Sequence, residues 1–369
     1  MFVVRHADPA ASTPELLAFW NASLRESFPL DERLWRQQLA LEKDETVLLA
    51  AFEPAAFGPA SAAAAPVPAP AQVGAAAPKA AEPRDRSPSL AELSAEFGSL
   101  AGLALVKRAA RPGPDGAVPA KGNLSFILVR EESRGRGAGG ALLDCAQDWL
   151  RERGATRLHL GRDTYHYFPG APLEEGELFS ALLGFLGAKG FVAESDEHDL
   201  CADLGELDLK GLAAKLKRAP GYVTVGYESV HRASLERFFL ANFPGRWFSD
   251  TFEAIDAGMR GTDLLLLREE PSGEIVGFSR IYDSSSPILG PGVYWRALMG
   301  DKPCGLGPIG VDESRRGAGL GMRLLYDSMV RLAAKGCRTM VIDWTDLVGF
   351  YAKMGFAIWK SYRLMTKQL

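Results

Sequence analysis

The chain of 369 residues carries 42 Lys and Arg against 46 Asp and Glu, a net charge of -4, with 47% hydrophobic and 24% charged residues. That length exceeds one ordinary domain, and the composition supplies apolar material for two cores while excluding wholesale disorder. The mildly acidic balance offers no basic field for nucleic acid or anionic lipid, and no uncharged apolar run approaches the roughly 18 residues of a membrane helix, so neither nucleic acid nor membrane is expected as a partner. The four cysteines, Cys145, Cys201, Cys304 and Cys337, are widely spaced and form no CxxC pair. They read as buried free thiols rather than a zinc site or a disulfide framework, and no metal is expected. The opening "MFVVRHADPAAS" is broken by Arg5, His6 and Asp8 and is too short for an export signal, which makes a cytoplasmic location the expectation.

In chain order, "MFVVRHA" reads as an opening strand, followed by helical material rich in aromatics and leucine, and then "TVLLAAFE" (46–53) as a second strand. From Pro54 to about Pro88 the sequence is Ala/Pro-rich and has little to bury. A third strand begins at Leu100 ("LAGLALVKR") and a fourth is "LSFILV" (124–129). The string "ESRGRGAGGALL" (132–143) then opens an amphipathic helix that stops at Gly154. "TRLHLG" follows as a buried strand, then the aromatic loop "GRDTYHYFPGAP" (161–172), and "FLGAKGF" (185–191), a helix end leading into a strand.

The order then recurs. "LKGLAAKLKRAPG" (209–221) is a short helix ending at proline and glycine, and "YVTVGYESV" and "DLLLLREE" are strands. A "PSG" turn leads into "EIVGFSRIY", and "GLGPIGV" (305–311) runs into "ESRRGAGLGMRLL" (313–325). A second amphipathic helix stops at Gly336, before "TMVIDW" and "FYAKMGF" (350–356). A shift of 182 residues lays Val129 on Val311, Arg134 on Arg316, Gly135 on Gly317, Gly137 on Gly319 and Gly139 on Gly321. A repeat this long is two copies of one domain, not a solenoid. The boundaries read as 1–208 for the first copy, 209–221 for a linker and 222–369 for the second. The Ala/Pro-rich stretch at 54–88 becomes a hairpin insertion inside the first copy, tolerated because loop-closure entropy grows slowly with length.

A strand entering a glycine-rich turn and then a helix aims unpaired backbone N–H groups, at the positive end of the helix dipole, toward an anion. A Walker loop needs GK[ST], which neither string has. A dinucleotide fingerprint fits the first copy through Gly135, Gly137 and Gly140 with Asp163 as the acid, but fails in the second. The pattern shared by both copies is Arg-x-x-Gly-x-Gly, at Arg134 to Gly139 and Arg316 to Gly321. With the valine five residues earlier, the helix after it and the later GF segment, the chain resembles a tandem member of the GNAT superfamily of acyl-CoA N-acyltransferases.

The resemblance implies an α/β fold with a mixed sheet, each copy having six or seven strands splayed between the fourth and fifth and flanked by helices. Acetyl-CoA as co-substrate would lie in the splay. Its second-copy contacts would be Gly310, Val311, Arg316, Gly317, Ala318, Gly319, Leu320 and Gly321. The first-copy counterparts are Val129, Arg134, Gly135, Arg136, Gly137, Ala138 and Gly139. A backbone N–H near Gly310 or Val311 would polarise the thioester carbonyl. Tyr351 falls where the family places the acid that protonates the departing thiolate, whereas the first copy has Leu186 there. Packing against Phe350 is the competing role for Tyr351.

Many relatives carry asparagine seven positions before that tyrosine, where this chain has Trp344. Asp343 and Asp346 flank the fifth-strand end as candidate bases or as solvated carboxylates. His166, with Tyr165 and Tyr167, belongs either to a reactive loop or to a packed lid, and Trp247 and Phe248 either shape an acceptor pocket or fill a core. His6, His159, His198 and His231 read as structural. The expected function is direct transfer of acetyl from acetyl-CoA to a primary amine of a small molecule in the second copy, without a covalent enzyme intermediate. The alternative is a non-catalytic acyl-CoA sensor. Nothing in the sequence sets the acceptor or the oligomeric state.

Overall fold

The computed structural model describes residues 2–54, 87–110, 120–163 and 165–369. The expected insertion at 54–88 therefore lies almost wholly outside the described residues. The first run of strands is β1 (Val3–Ala7), β2 (Glu45–Glu53), β3 (Ser99–Arg108), β4 (Lys121–Val129), β5 (Arg157–Leu160), the short β6 (Ala171–Pro172) and β7 (Val192–Asp203). The second is β8 (Tyr222–Gly226), β9 (Leu264–Glu269), β10 (Ile275–Asp283), β11 (Cys304–Val311), β12 (Thr339–Thr345) and β13 (Ala357–Gln368). Helices α1 (Thr13–Leu24), α2 (Glu32–Leu41), α3 (Leu90–Phe97), α4 (Ala138–Glu152) and α5 (Glu177–Ala188) accompany the first run. Helices α6 (Leu209–Ala214), α7 (Arg232–Asn242), α8 (Arg246–Asp256), α9 (Leu320–Ala334) and α10 (Val348–Ala352) accompany the second.

The strands do not form two separate sheets. They form one 13-stranded mixed sheet in the order β1-β2-β3-β4-β5-β13-β7-β12-β11-β10-β9-β8, with β6 pairing on β13. The two copies have exchanged their last strands. β13, from the end of the chain, pairs antiparallel with β5 of the first copy, and β7 pairs antiparallel with β12 of the second. β13 and β7 also pair with each other over most of their length, from Ala357 opposite Cys201 to Thr366 opposite Val192.

Side-chain burial follows the exchange. Leu200, Ala202 and Leu204 of β7 and its end pack with Leu324, Leu325 and Met329 of α9. Met365 of β13 packs with Leu142, Leu143 and Leu150 of α4. A third core mixes both copies: Trp20, Phe28 and Trp35 of the first lie with Tyr282, Trp295 and Tyr362 of the second. Trp295 meets Phe28 edge-on at 5.0 Å and stacks on Phe168 at 5.6 Å. Neither the sheet nor this core breaks at the 209–221 segment expected as a linker.

In each half the inner pair of strands is parallel and short. β4 pairs with β5 only from Lys121 to Leu124, and β11 with β12 only from Cys304 to Leu306. Beyond those points the strands diverge, leaving Ser125–Val129 and Gly307–Val311 as one wall of each opening. Both glycine-rich turns enter their helices through a left-handed N-cap glycine, Gly137 at φ 100° and Gly319 at φ 85°. A side chain there would be strained, so the conformation itself selects glycine.

Candidate functional site

The second opening leads to a cavity of about 430 Å³. Its walls come from β11 (Gly307, Ile309), the end of β12 (Asp343, Trp344), Tyr351 of α10, and Arg246 and Trp247 of α8. The first copy completes it with Gln37 of α2 and with Tyr165 and His166 of the 161–172 loop.

Asp343 stands at the throat. Its Oδ1 accepts a hydrogen bond from the Tyr282 hydroxyl at 2.9 Å. A Cβ on Gly307 would come within 2.4 Å of that oxygen, so only glycine admits the carboxyl there. Burial pushes the Asp343 carboxyl up to about 6, against the Tyr282 hydrogen bond and the charges of Arg246 and Arg280. Tyr351 is 5% exposed and packs edge-on against Phe350 at 4.9 Å. It nonetheless lines the cavity, and burial together with Asp343 raises its hydroxyl pKa, which keeps it protonated at neutral pH. Asp346 also lines the cavity.

Behind Asp343 lies a second buried acid, Asp199 of β7. It accepts from the Trp344 backbone N–H at 3.0 Å and from the Tyr362 hydroxyl at 2.8 Å. Burial pushes its carboxyl up to about 7, and Asp343 adds to the rise. The folded pKa exceeds the unfolded value of about 3.9, so the folded state binds more protons. The stabilisation this site contributes is complete below about pH 4 and is lost as pH rises through about 7. Asp199→Asn is therefore expected to raise the melting temperature above wild type at pH 8 and to give a smaller gain at pH 5. Calorimetry at both pH values checks it, and an equal shift at the two would contradict the linkage.

Two bulky residues facing the cavity have left-handed backbone, Tyr165 at φ 54° and Trp344 at φ 43°. Such conformations cost about 1–3 kcal/mol each and persist where the surroundings over-determine them. The strand-end position of Trp344 suits asparagine, which tolerates this φ. The backbone here is held by the Trp344 main-chain N–H bond to Asp199, and the tryptophan ring by the Arg246 guanidinium 5.3 Å over it and the His166 ring edge-on at 4.9 Å.

The 161–172 loop is clamped from below. Lys107 makes buried ion pairs of 2.6 Å with Glu42 and Asp163. Burial disfavours its charge, but the two carboxylates outweigh that and raise its pKa. Ser125 donates to Asp163 at 2.9 Å. Asp163 is thus committed to this cluster and is not free to hold a ribose. Gln38 donates to the carbonyls of Tyr165 and His166, and Tyr165 donates to Glu253 of α8 at 2.9 Å. His166 is 2% exposed, and burial, then Arg246, pushes its imidazole down to about 3, so it is neutral. Tyr167 is buried among Trp20, Trp35 and Phe126 and does not line the cavity. Phe248 belongs to the aromatic core under β10, while Trp247 is 39% exposed at the cavity.

The second glycine turn sits at the α9 N-terminus. Arg316 is exposed and pairs with Glu313 at 3.5 Å, Ala318 is exposed, and Leu320 is buried. Gly321 faces Phe350 and Val311, and Gly310 packs against Phe243. Lys217 of the 209–221 segment lies across this turn, its Nζ donating to the Gly317 carbonyl at 3.0 Å. That adds a cation where the helix N-terminus already favours an anion.

The first copy's opening is built differently. Its cavity, about 390 Å³, is lined by Ser125–Val129, by Arg134, Gly135, Gly137 and Gly139, and by Phe168, Phe179 and Phe185. Nothing lies within 4 Å of where side chains on Gly135 and Gly137 would begin. Arg134 donates to the Val129 carbonyl at 3.1 Å, Arg136 pairs with Glu53, and Ala138 is buried. The 182-residue shift places Gly161 opposite Asp343, and Leu186, fully buried, stands for Tyr351. This half lacks both ionisable groups.

Sequence reasoning did not find Arg246, Arg280, Tyr282 or Asp199. Arg280 carried a usable signal, because a lone arginine in "EIVGFSRIY" must share a face with Phe278 and Tyr282. Among the described residues no helix is long and apolar enough to cross a membrane, and no cluster of His, Cys, Asp and Glu could hold a metal ion.

The acetyltransferase (GNAT) family model matches residues 70–168 and 232–356. No curated protein matches by sequence. Among solved structures, the chain superposes on a fungal multi-domain GH3 β-N-acetylglucosaminidase described as containing a GCN5-related glucosamine N-acetyltransferase region. That match has a TM-score of 0.77 and 20% identity, and it covers 99% of this chain but only 38% of the fungal one. A tandem GNAT protein from the clavulanic acid biosynthesis pathway matches with a TM-score of 0.62 at 14% identity, over 100% of this chain and 98% of its own. A GCN5-related N-acetyltransferase from Sphaerobacter thermophilus matches with a TM-score of 0.57 at 16% identity, over 100% and 95%. At these identities the likeness is one of fold.

Proposed function

The chain belongs to the acetyltransferase (GNAT) family, and from that premise we propose that it is an N-acetyltransferase acting on a small-molecule amine in its second half. The observation that carries the reading is the meeting of Asp343 and Tyr351 in one cavity at the mouth of the β11–β12 opening, on the strand that leads into the glycine turn. The glucosamine N-acetyltransferase region named in the fungal protein's description supports an amine acceptor. Acetyl-CoA, when bound, supplies the thioester carbonyl. The glycine turn from Arg316 to Gly321 and Lys217 suit its pyrophosphate, and the unpaired side of Gly307–Val311 suits its pantetheine arm.

Asp343 takes a proton from the acceptor ammonium, and the freed amine attacks the carbonyl carbon. A C–N bond forms, the C–S bond breaks, Tyr351 gives its proton to the departing thiolate, and the second proton lost by the nitrogen restores the Tyr351 hydroxyl. A carboxyl with a pKa near 6 is ionised at pH 7 yet basic enough for this work. The first half is proposed to hold acyl-CoA without turnover. Its turn and cavity are open, while Gly161 and Leu186 replace the base and the acid.

Steady-state thiol release with a panel of amines tests the reading. Amine-dependent release with an acetylated product is expected, and tight acetyl-CoA binding without release from any amine would overturn it. Tyr351→Phe should lower kcat by about 10- to 100-fold. That is at the low end of the usual span for a general acid, because a thiolate leaves more readily without help than an alkoxide or an amide anion does. Acetyl-CoA affinity should stay within about twofold, since the hydroxyl acts on the leaving group only. An unchanged kcat removes Tyr351 as the acid.

A further inference from the structure

The acceptor cavity carries a second charged feature that the acyl-transfer step does not use. Arg280, on the cavity face of β10, donates from Nη1 to the Asp250 carbonyl at 3.3 Å. Its Nε is buried with no partner, and it makes no ion pair among the described residues. The neighbouring Arg246 is engaged, paired with Asp250 at 2.9 Å and lying over Trp344. A buried guanidinium N–H without an acceptor is costly, and native structures rarely keep one unless something else satisfies it.

A second orphan lines the same cavity from the other copy. The Nδ1 of His166 is buried without a partner. A cation with unused donors and a neutral imidazole thus share a cavity with a carboxylate at its throat, in a volume suited to one small molecule.

We propose that the acceptor is an amine that also bears an anionic oxygen group, a carboxylate or a phosphate, held with its nitrogen toward Asp343 and its anion on Arg280 across the junction of the two copies. This rests on the N-acetyltransferase reading of the same cavity. Arginine presents planar, directional donors that match carboxylate or phosphate oxygens two at a time, which a neutral hydroxylated amine cannot reciprocate. Asp343 and Arg280 then read the two charges of one molecule. A simple diamine lacks the anion and would leave the Arg280 Nε–H buried and unpaired. The first copy takes part in recognition, because His166 and Tyr165 close the far side of the cavity.

The test uses matched pairs: ethanolamine and O-phosphoethanolamine, cadaverine and lysine, glucosamine and glucosamine 6-phosphate. Calorimetric binding of each is measured on the full-length protein without acetyl-CoA, and turnover is measured with it. The wild type should bind at least one anion-bearing member roughly 10- to 100-fold more tightly than its partner, the span of a charge-assisted hydrogen bond. Arg280→Gln should erase that preference while leaving the KM for acetyl-CoA in place. Arg280→Lys, which keeps the charge, should retain part of it, with melting temperatures confirming that both variants fold. A phosphate-only or carboxylate-only preference identifies the anion. Equal or weaker binding of every anion-bearing member by the wild type overturns the proposal, whether or not turnover is seen. Selective anion binding without any turnover sustains it and removes the acyl-transfer reading instead.

Discussion

Asp343→Asn is expected to lower kcat/KM for the amine by roughly 100- to 10,000-fold, the usual contribution of a positioned general base. The amide keeps an oxygen that can accept the Tyr282 hydroxyl bond and fits the space beside Gly307, so the cavity should keep its shape. It also removes one of two neighbouring buried acids, which relieves Asp199, so the variant should melt no lower than wild type. Loss of rate therefore cannot be put down to unfolding. In the wild type, kcat/KM should rise as pH increases through about 6, when the Asp343 carboxyl ionises. In the variant that limb should vanish. A rate within tenfold of wild type, or an unchanged acid limb, would assign the base elsewhere, with Asp346 the next carboxylate at the cavity.

Residues 1–208 expressed alone should fail to fold, residues 209–369 alone should fail likewise, and co-expression of the two should restore one complex. The reason is the exchange of β7 and β13. Without β13 the first half loses Tyr362, Leu364 and Met365, all buried, and β5 becomes an open edge. At about 1.5–3 kcal/mol per buried side chain that is about 5–9 kcal/mol. This is comparable with the whole stability of a domain, about 5–15 kcal/mol. The shared aromatic core around Trp295 and Phe28 is lost as well. The second half loses Leu200, Ala202 and Leu204 in the same way. Size-exclusion chromatography and thermal melts decide it: a cooperative transition from the 1–208 piece alone would show that the exchange is dispensable.

The repeated local features were legible in the sequence, whereas helix α3 and the left-handed backbone at Tyr165 and Trp344 were not. Glycine at positions of left-handed backbone, arginine before it and an apolar period of three to four after it depend on neighbours in the chain. Both copies therefore announced the turn, the helix and the stop at Gly154 and Gly336. The difference between the copies was also readable where it falls inside a repeated string, as with Tyr351 against Leu186.

The strand exchange was not legible. "VAESDEHDLCAD" and "AIWKSYRLMTKQ" each read as a last strand, and nothing within either says which β5-type edge it will join. That choice belongs to edges more than a hundred residues away in the chain. The candidate site shares that limit. Asp343 and Tyr351 are eight positions apart and could be named from one stretch, whereas Arg280, Asp199 and His166 come from three strands and loops of two copies. Sequence by itself determined the repeat and the family resemblance, and it supplied the glycine turns proposed to hold a phosphate. Tertiary structure alone decided that the two copies are one sheet, and that the cavity proposed to take the acceptor in the second is closed by a loop of the first. The physical reason is that hydrogen-bonded edges and desolvated charges select their partners by position in space, which neighbouring residues in the chain do not encode.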